Sequence, residues 1–399
     1  MTYASPDTIA GQLQRGLGRG ARAVRDPELV EDCLRHHYAW DWQVDARDVY
    51  LARLVRDLGM PVGPIVARLH AAEPELGDTE FTVSLGVLGC LGKAGIEEAV
   101  DGVRDYIVRG PGWQEALEEV AGQWPVAWWD DLLPQVRHRL RDDLVFGEPW
   151  THWARRDPGI PLQRRATPPP GHSPSSAALL ATLRDPARRR LHRPALRELA
   201  RRPAEPELLE IVGTMDTTGL GGAIARALVP LGRAAVPAAQ RWAAVDGPPR
   251  GAAIPILAAF GDASDVPVLL AEIACLDGTP DHLCGYDDLV TALARIGGPA
   301  TAVLPAILRR IWLTPHSYER ASYLRACRIA DPPAAESLLV EGLWDCEEGV
   351  RRLAVEHVAL SAEVRERLAY LRDDPIEDPR GARRRGRTAG RLRRWFPTW

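Results

Sequence analysis

Through the C-terminal half of the chain, apolar positions recur at helical spacing, each run stopping at a glycine or small residue before another opens. The unit returns every 30 to 36 residues, its first helix beginning near Arg188, Leu220, Arg250, Tyr286, Tyr318 and Gly349. Within one unit, Leu289, Val290, Leu293 and Ile296 form one stripe, and Val303, Leu304, Ile307, Leu308 and Ile311 form a second. One helix pair cannot bury both stripes, whereas a stacked series can.

The junctions are equally regular. In Leu231-Gly232-Arg233-Ala234-Ala235-Val236-Pro237 a helix stops at a glycine able to adopt positive φ, and another starts almost at once. The same event recurs at Phe260-Gly261-Asp262, Ile296-Gly297-Gly298 and Ile329-Ala330-Asp331. Asp262 and Asp331 stand where they can cap the following helix, and Pro237, Pro267, Pro299 and Pro333 fall near its start. Earlier in the chain, Leu91-Gly92-Lys93-Ala94-Gly95-Ile96-Glu97-Glu98-Ala99 repeats the pattern, and helical runs begin near Asp45, Glu80 and Gly112.

These residues resemble short HEAT repeats, of the kind found in bilin lyases and many bacterial adaptor proteins. Val350-Arg351-Arg352-Leu353-Ala354-Val355 looks like the first helix of such a repeat, and Gly232 to Pro237 like its inner turn. The resemblance runs from about Arg188 to Leu371 and implies an all-α superhelix of antiparallel helix pairs. It implies a fold and not an activity. The expected organisation is a diverged, tryptophan-rich helical region over 1–156, a Pro/Gly-rich linker over 157–176, a HEAT-like domain over 177–374 and a basic tail over 375–399.

Composition agrees with close helix packing: 4 Phe and 3 Met leave Ala, Leu and Val to fill the core. No apolar run is long enough to span a bilayer, the N-terminus lacks a leader pattern, and the six cysteines include no C-x-x-C pair. A cytoplasmic protein with reduced thiols is expected. No phosphate, dinucleotide, zinc-protease or nucleophile-elbow motif is present, so neither a cofactor nor a metal is implied. Cys275 and Cys284, with Asp277 and His282 near them, match no zinc spacing and read as buried cysteines beside a loop histidine.

Charge is unevenly spread. From Arg380 the tail carries eight arginines and no acid, which leaves 42 basic against 54 acidic residues, or −12, before it. Arg383, Arg384, Arg385, Arg387, Arg391, Arg393, Arg394 and Trp395 are candidates to bind an anionic surface, nucleic acid, or the chain's own acidic body. A second basic stretch, Arg184 to Arg202, opens the C-terminal repeats.

Eight of the 13 tryptophans lie in the N-terminal half, including Trp40, Trp42, Trp128 and Trp129. They read foremost as plugs between imperfect repeats and otherwise as an anchor for a peptide or bases. Trp128, Trp129, Asp130 and Asp131 also invite comparison with HEAT-like alkylpurine DNA glycosylases, a resemblance that implies tryptophans and an aspartate holding a damaged nucleotide. Second helices of HEAT-like pairs line the concave face, and several here open with acids: Glu97, Glu98 and Asp101; Glu205, Glu207 and Glu210; Asp262 and Asp265. The expected function is a non-enzymatic scaffold for a protein partner with a basic segment. A nucleic-acid-associated protein, possibly glycosylase-like in pattern, is the alternative, and a bilin-lyase-like activity the third.

Overall fold

The computed structural model describes residues 2–36, 38, 47–72, 79–140, 145–163, 174–245, 247, 249–278 and 284–376. The regular structure of these residues is helical, with no strand among them beyond one isolated bridge between Val145 and Leu162. In chain order the helices are α1 (Ile9–Gln14), α2 (Gly18–Ala23), α3 (Pro27–Arg35), α4 (Asp48–Asp57), α5 (Gly63–Ala71), α6 (Thr79–Lys93), α7 (Glu97–Arg109), α8 (Trp113–Ala121), α9 (Leu133–Val136) and α10 (Trp150–Trp153). There follow α11 (Ser176–Arg184), α12 (Arg189–Leu199), α13 (Leu208–Thr214), α14 (Gly221–Leu228), α15 (Val236–Ala243), α16 (Arg250–Phe260) and α17 (Val266–Asp277). The rest are α18 (Asp287–Ile296), α19 (Pro299–Ala302), α20 (Leu304–Ile311), α21 (Arg320–Ala330), α22 (Pro332–Gly342), α23 (Glu348–His357) and α24 (Ala362–Asp373).

The chain forms two compact units. The first comprises Met1–Ala166, Pro315–Tyr318 and Glu336–Trp399, and the second Thr167–Thr314 and Glu319–Ala335. This division departs from the expected boundaries in several respects. Helices α23 and α24, read in sequence as the end of the repeat domain over 177–374, belong with the N-terminal helices. Of the expected linker over 157–176, residues up to 163 belong to the first unit: Ile160 is buried in its core, and Val145 N donates to Pro161 O at 3.0 Å. Residues 164–173 lie outside the described ones.

In the second unit, α12, α14, α16, α18 and α21 each pack on the next, with α13, α15, α17 and α20 between them in sequence. Their first residues, Arg189, Gly221, Arg250, Asp287 and Arg320, fall within two positions of the starts read from the apolar pattern. Gly232 has φ 59° and ψ −135°, which a side chain resists, and it parts α14 from α15. Gly297 and Gly298, at φ 78° and 57°, do the same after α18.

Gly261 is different. Its φ of −63° suits any residue, so glycine is needed there for space: a Cβ would stand 2.5 Å from Leu257 O and 2.6 Å from Asp265 Oδ2. That carboxylate accepts from Asp262 N at 2.9 Å while Asp262 Oδ1 accepts from Ser264 N at 2.8 Å, a reciprocal cap before α17. Asp331 Oδ1 caps α22 through Ala334 N at 3.2 Å. Where α18 lacks a side-chain cap of its own, buried Glu319 supplies one, accepting from Gly285 N at 2.6 Å and Tyr286 N at 3.3 Å.

The first unit is closed by the far end of the chain. The Asp374 side chain is fully buried and accepts from Arg53 Nε at 2.6 Å and Arg56 Nη1 at 2.7 Å, both on α4. Burial alone would raise the Asp374 carboxyl; the two guanidiniums outweigh it and hold the group below its ordinary value. Lys93, the only lysine in the chain, donates to Ile376 O at 2.7 Å. Arg367 of α24 lies 4.2 Å over the Tyr370 ring and 4.7 Å over Trp344. At the N-terminal helices, Cys346 N donates to Gly16 O at 3.0 Å, and Gly18 passes so close to α22 that a Cβ would sit 2.0 Å from Glu341 O.

Two outcomes follow for stability. Replacing Gly232 with Val should cost about 1 kcal/mol or more, since the backbone there is open to glycine alone; an unchanged melting temperature would refute the turn. Asp374→Ala removes the buried carboxylate that Arg53 and Arg56 share, and should cost about 3 kcal/mol in urea denaturation; a loss under about 0.5 kcal/mol would show that the closure contributes little.

Candidate functional site

The region from Trp113 to Arg156 holds six of the chain's 13 tryptophans, and five of these are buried. Trp113, Trp150, Trp153 and Trp129 form a chain of edge-to-face contacts at centroid separations of 6.0, 5.6 and 5.7 Å. All four are buried, Trp129 at 1% exposure. Trp124 Nε1 donates to Gly89 O at 2.8 Å, and its ring lies so near Gly92 of α6 that a Cβ there would meet it at 2.7 Å. Trp129 is thus a core residue with no face for a base or peptide, because a full indole fills the gap between short helices. Trp128 is half-buried. Trp40 and Trp42 lie outside the described residues, as do Arg383, Arg384, Arg385, Arg387, Arg391, Arg393, Arg394 and Trp395.

The two aspartates beside Trp129 are already engaged. Asp131 takes both Arg104 Nη1 and Nη2, at 2.9 and 2.6 Å, and the Arg104 hydrogen bond lowers its pKa. Asp130 bonds Arg156, Trp153 Nε1 at 3.0 Å and His152 Nε2 at 3.1 Å. Burial pushes the Asp130 carboxyl up, but the hydrogen bonds from Arg156 and Trp153 outweigh it and leave it lowered. Arg104 also feels Asp101 one helical turn away and donates to the Trp128 carbonyl, so three sequence candidates, Trp128, Asp131 and Asp101, meet around one guanidinium. Among the described residues no group of three or more His, Cys, Asp or Glu is disposed to hold a metal ion, and no helix is long and apolar enough to cross a membrane.

No protein-family model, curated protein or solved structure matches this chain.

Its own charges therefore define the candidate surface. Glu97, Glu98 and Asp101 are exposed on the first turns of α7, and Glu98 Oε1 reaches over Gly63 of α5, where a Cβ would lie 3.1 Å away. None of the three makes an ion pair among the described residues. A second acidic group, not singled out from the sequence, joins α4, α6 and α8. Asp48, half-buried at the start of α4, rests its carboxyl on Gly86 of α6, where a Cβ would fall 2.4 Å from Cγ. Burial, with Glu119 adding repulsion, pushes Asp48 up to about 7. Glu115 is raised as well, by burial first and then by Glu119 and Glu118. Glu118 accepts from Trp150 Nε1 at 2.7 Å, and Glu119 from Gln123, so both have neutral donors, and neither makes an ion pair among the described residues.

The contrast with Asp130, Asp131 and Asp374 is the informative observation. Those carboxylates each have an arginine and are lowered, whereas Asp48 and Glu115 have none among the described residues and are raised. The spacing Glu115-x-x-Glu118-Glu119 was visible as one acidic helix side; the approach of Asp48 depends on a contact between distant helices.

A folded-state pKa above the unfolded value means the folded protein binds the proton more tightly. Asp48 therefore subtracts stability as pH rises from about 3.8 to about 7, and subtracts most above that window. Asp48→Asn should raise stability at pH 8 by about 1 to 3 kcal/mol and change it little near pH 4; equal stability of the two proteins at pH 8 would contradict this.

Proposed function

We propose that this chain is a non-enzymatic binding scaffold of HEAT-like helical repeats, whose partner is a protein presenting a basic segment. Two observations support the repeat reading: the successive packing of α12, α14, α16, α18 and α21, and the short glycine-marked junctions between paired helices. The reading of the partner rests on the carboxylates of the first unit that make no ion pair among the described residues, Asp48, Glu115, Glu118 and Glu119 together with Glu97, Glu98 and Asp101. An arginine- or lysine-bearing segment supplies the cations these groups lack, giving electrostatic selectivity and a fast encounter.

The arginine-rich tail enters the same account as an internal competitor. The described chain ends at Ile376, held by Lys93 of α6. Lys93, Asp48 and Glu119 all act on the thiol of Cys90, also on α6, so the tail sets out from the neighbourhood of the acidic group. Eight arginines on a short tether would reach that group at high effective concentration and weaken a basic partner at low salt.

Affinity purification from native cells, with the full chain as bait and mass spectrometry as readout, tests the reading. The wild type should retain a protein partner that Glu97→Gln/Glu98→Gln/Glu115→Gln/Glu119→Gln retains at least tenfold less, with the difference shrinking as salt rises. Equal recovery of every partner by both baits would overturn the assignment to this surface.

A further inference from the structure

Helix α12 of the second unit sorts its side chains by face. His192, Ala195, Leu196 and Leu199 are buried. At the helical repeat Arg190, Arg193 and Arg197 emerge together on the opposite side, and all three are exposed. Their neighbours have carboxylates: Arg184 pairs with Glu207, Arg189 with Asp216, and Arg188 with Asp185 at 3.2 Å. Arg190 and Arg197 have none among the described residues. Arg193 donates to the Gly219 carbonyl at 2.6 Å, which fixes the guanidinium and leaves its charge in place. The three charges are spread over about 10 Å of helix rise. A shallow hollow of about 760 Å³, bordered by Ala187, Arg188, Arg189, Arg190 and Leu191, opens at the start of the ridge.

The chemistry of this face selects among polyanions. A protein partner binds chiefly through a desolvated apolar centre, and α12 offers outward only Leu191, 52% exposed, beside its arginines and Pro194. Exposed ion pairs with such a partner would each contribute only about 0 to 1 kcal/mol. A nucleic-acid duplex needs no apolar contact, because each phosphate neutralised releases condensed counterions. No Phe, Tyr or Trp stands on α12, so nothing on it stacks unpaired bases. We propose that Arg190, Arg193 and Arg197 form a ridge that binds the phosphate backbone of duplex nucleic acid without reading its sequence. The planar guanidinium fork suits phosphate oxygens, and such contacts position a protein on a duplex rather than specify a site. This surface belongs to the second unit and stands independently of the acidic surface above.

The test uses the full chain and a fluorescent 20-base-pair duplex, with binding followed by anisotropy across a salt series. The tail is the same in every variant, so its contribution cancels. Arg190→Ala/Arg193→Ala/Arg197→Ala should weaken binding at least tenfold at 0.1 M salt and reduce the slope of log K against log salt by about 2.7. The corresponding triple Lys variant should restore most of that slope, while Arg309→Ala/Arg325→Ala should leave it unchanged. Circular dichroism melts that overlay the wild type assign the loss to binding. Wild type that fails to bind the duplex, an unaltered slope in the triple Ala variant, or an equal loss in the control pair would overturn the proposal. So would tighter binding of poly-glutamate than of duplex by the same three arginines.

Discussion

The buried carboxylate of Asp374 is the constraint on which the first unit depends. A fully desolvated charge is tolerated only with partners, and its partners are Arg53 and Arg56, 321 and 318 positions earlier in the chain. Satisfying that one group fixes α4 against the segment after α24 and draws Ile376 to Lys93. Arg56 also bonds Tyr370, whose hydroxyl reaches Asp57 at 2.7 Å, so the hydrogen-bonded network continues outward from the ion pair. The α23–α24 pair is thereby committed to the N-terminal helices despite its repeat-like sequence.

Arginine is allotted unevenly among the carboxylates, and the exceptions carry the functional reading. Where an arginine meets an acid, as at Asp131 or Asp374, the pair is consumed in holding helices together. Where acids make no ion pair among the described residues, on the first turns of α7, on α8 and at the start of α4, the fold bears their mutual repulsion. Along α12 the imbalance reverses, with guanidiniums outnumbering nearby acids. The near-neutral total charge of −4 thus hides local surfaces of opposite sign.

What could be read from the chain divides by distance. Helix starts at Arg189, Gly221, Arg250 and Asp287 were legible because apolar spacing acts within a few residues, even though none of these helices has a side-chain cap of its own. Gly232 was legible for the same reason, while the need for Gly261 was not, since it arises from the Asp265 carboxylate folding back over it. The alliance of α24 with α4 had no local signature, because a buried ion pair across some 320 residues looks like ordinary surface charge in sequence. Asp48 was missed likewise: its altered acidity comes from Gly86 and Glu119, which only tertiary packing brings near. Trp129, read foremost as a packing residue, is buried in the core, and Asp130 beside it is engaged by Arg156 and Trp153.

The discontinuity of the first unit also orders events during synthesis. Its N-terminal segment, Met1–Ala166, leaves the ribosome long before Asp374 and Ile376 exist, and Arg53 and Arg56 must wait without their carboxylate. At roughly 5 to 20 residues per second that wait lasts on the order of ten seconds or more, during which most of the nearly contiguous second unit emerges and can fold. A nascent chain can therefore hold a complete second unit while the first still lacks its last segment. Over that interval the places that Asp374 and Ile376 later fill in the first unit stand empty.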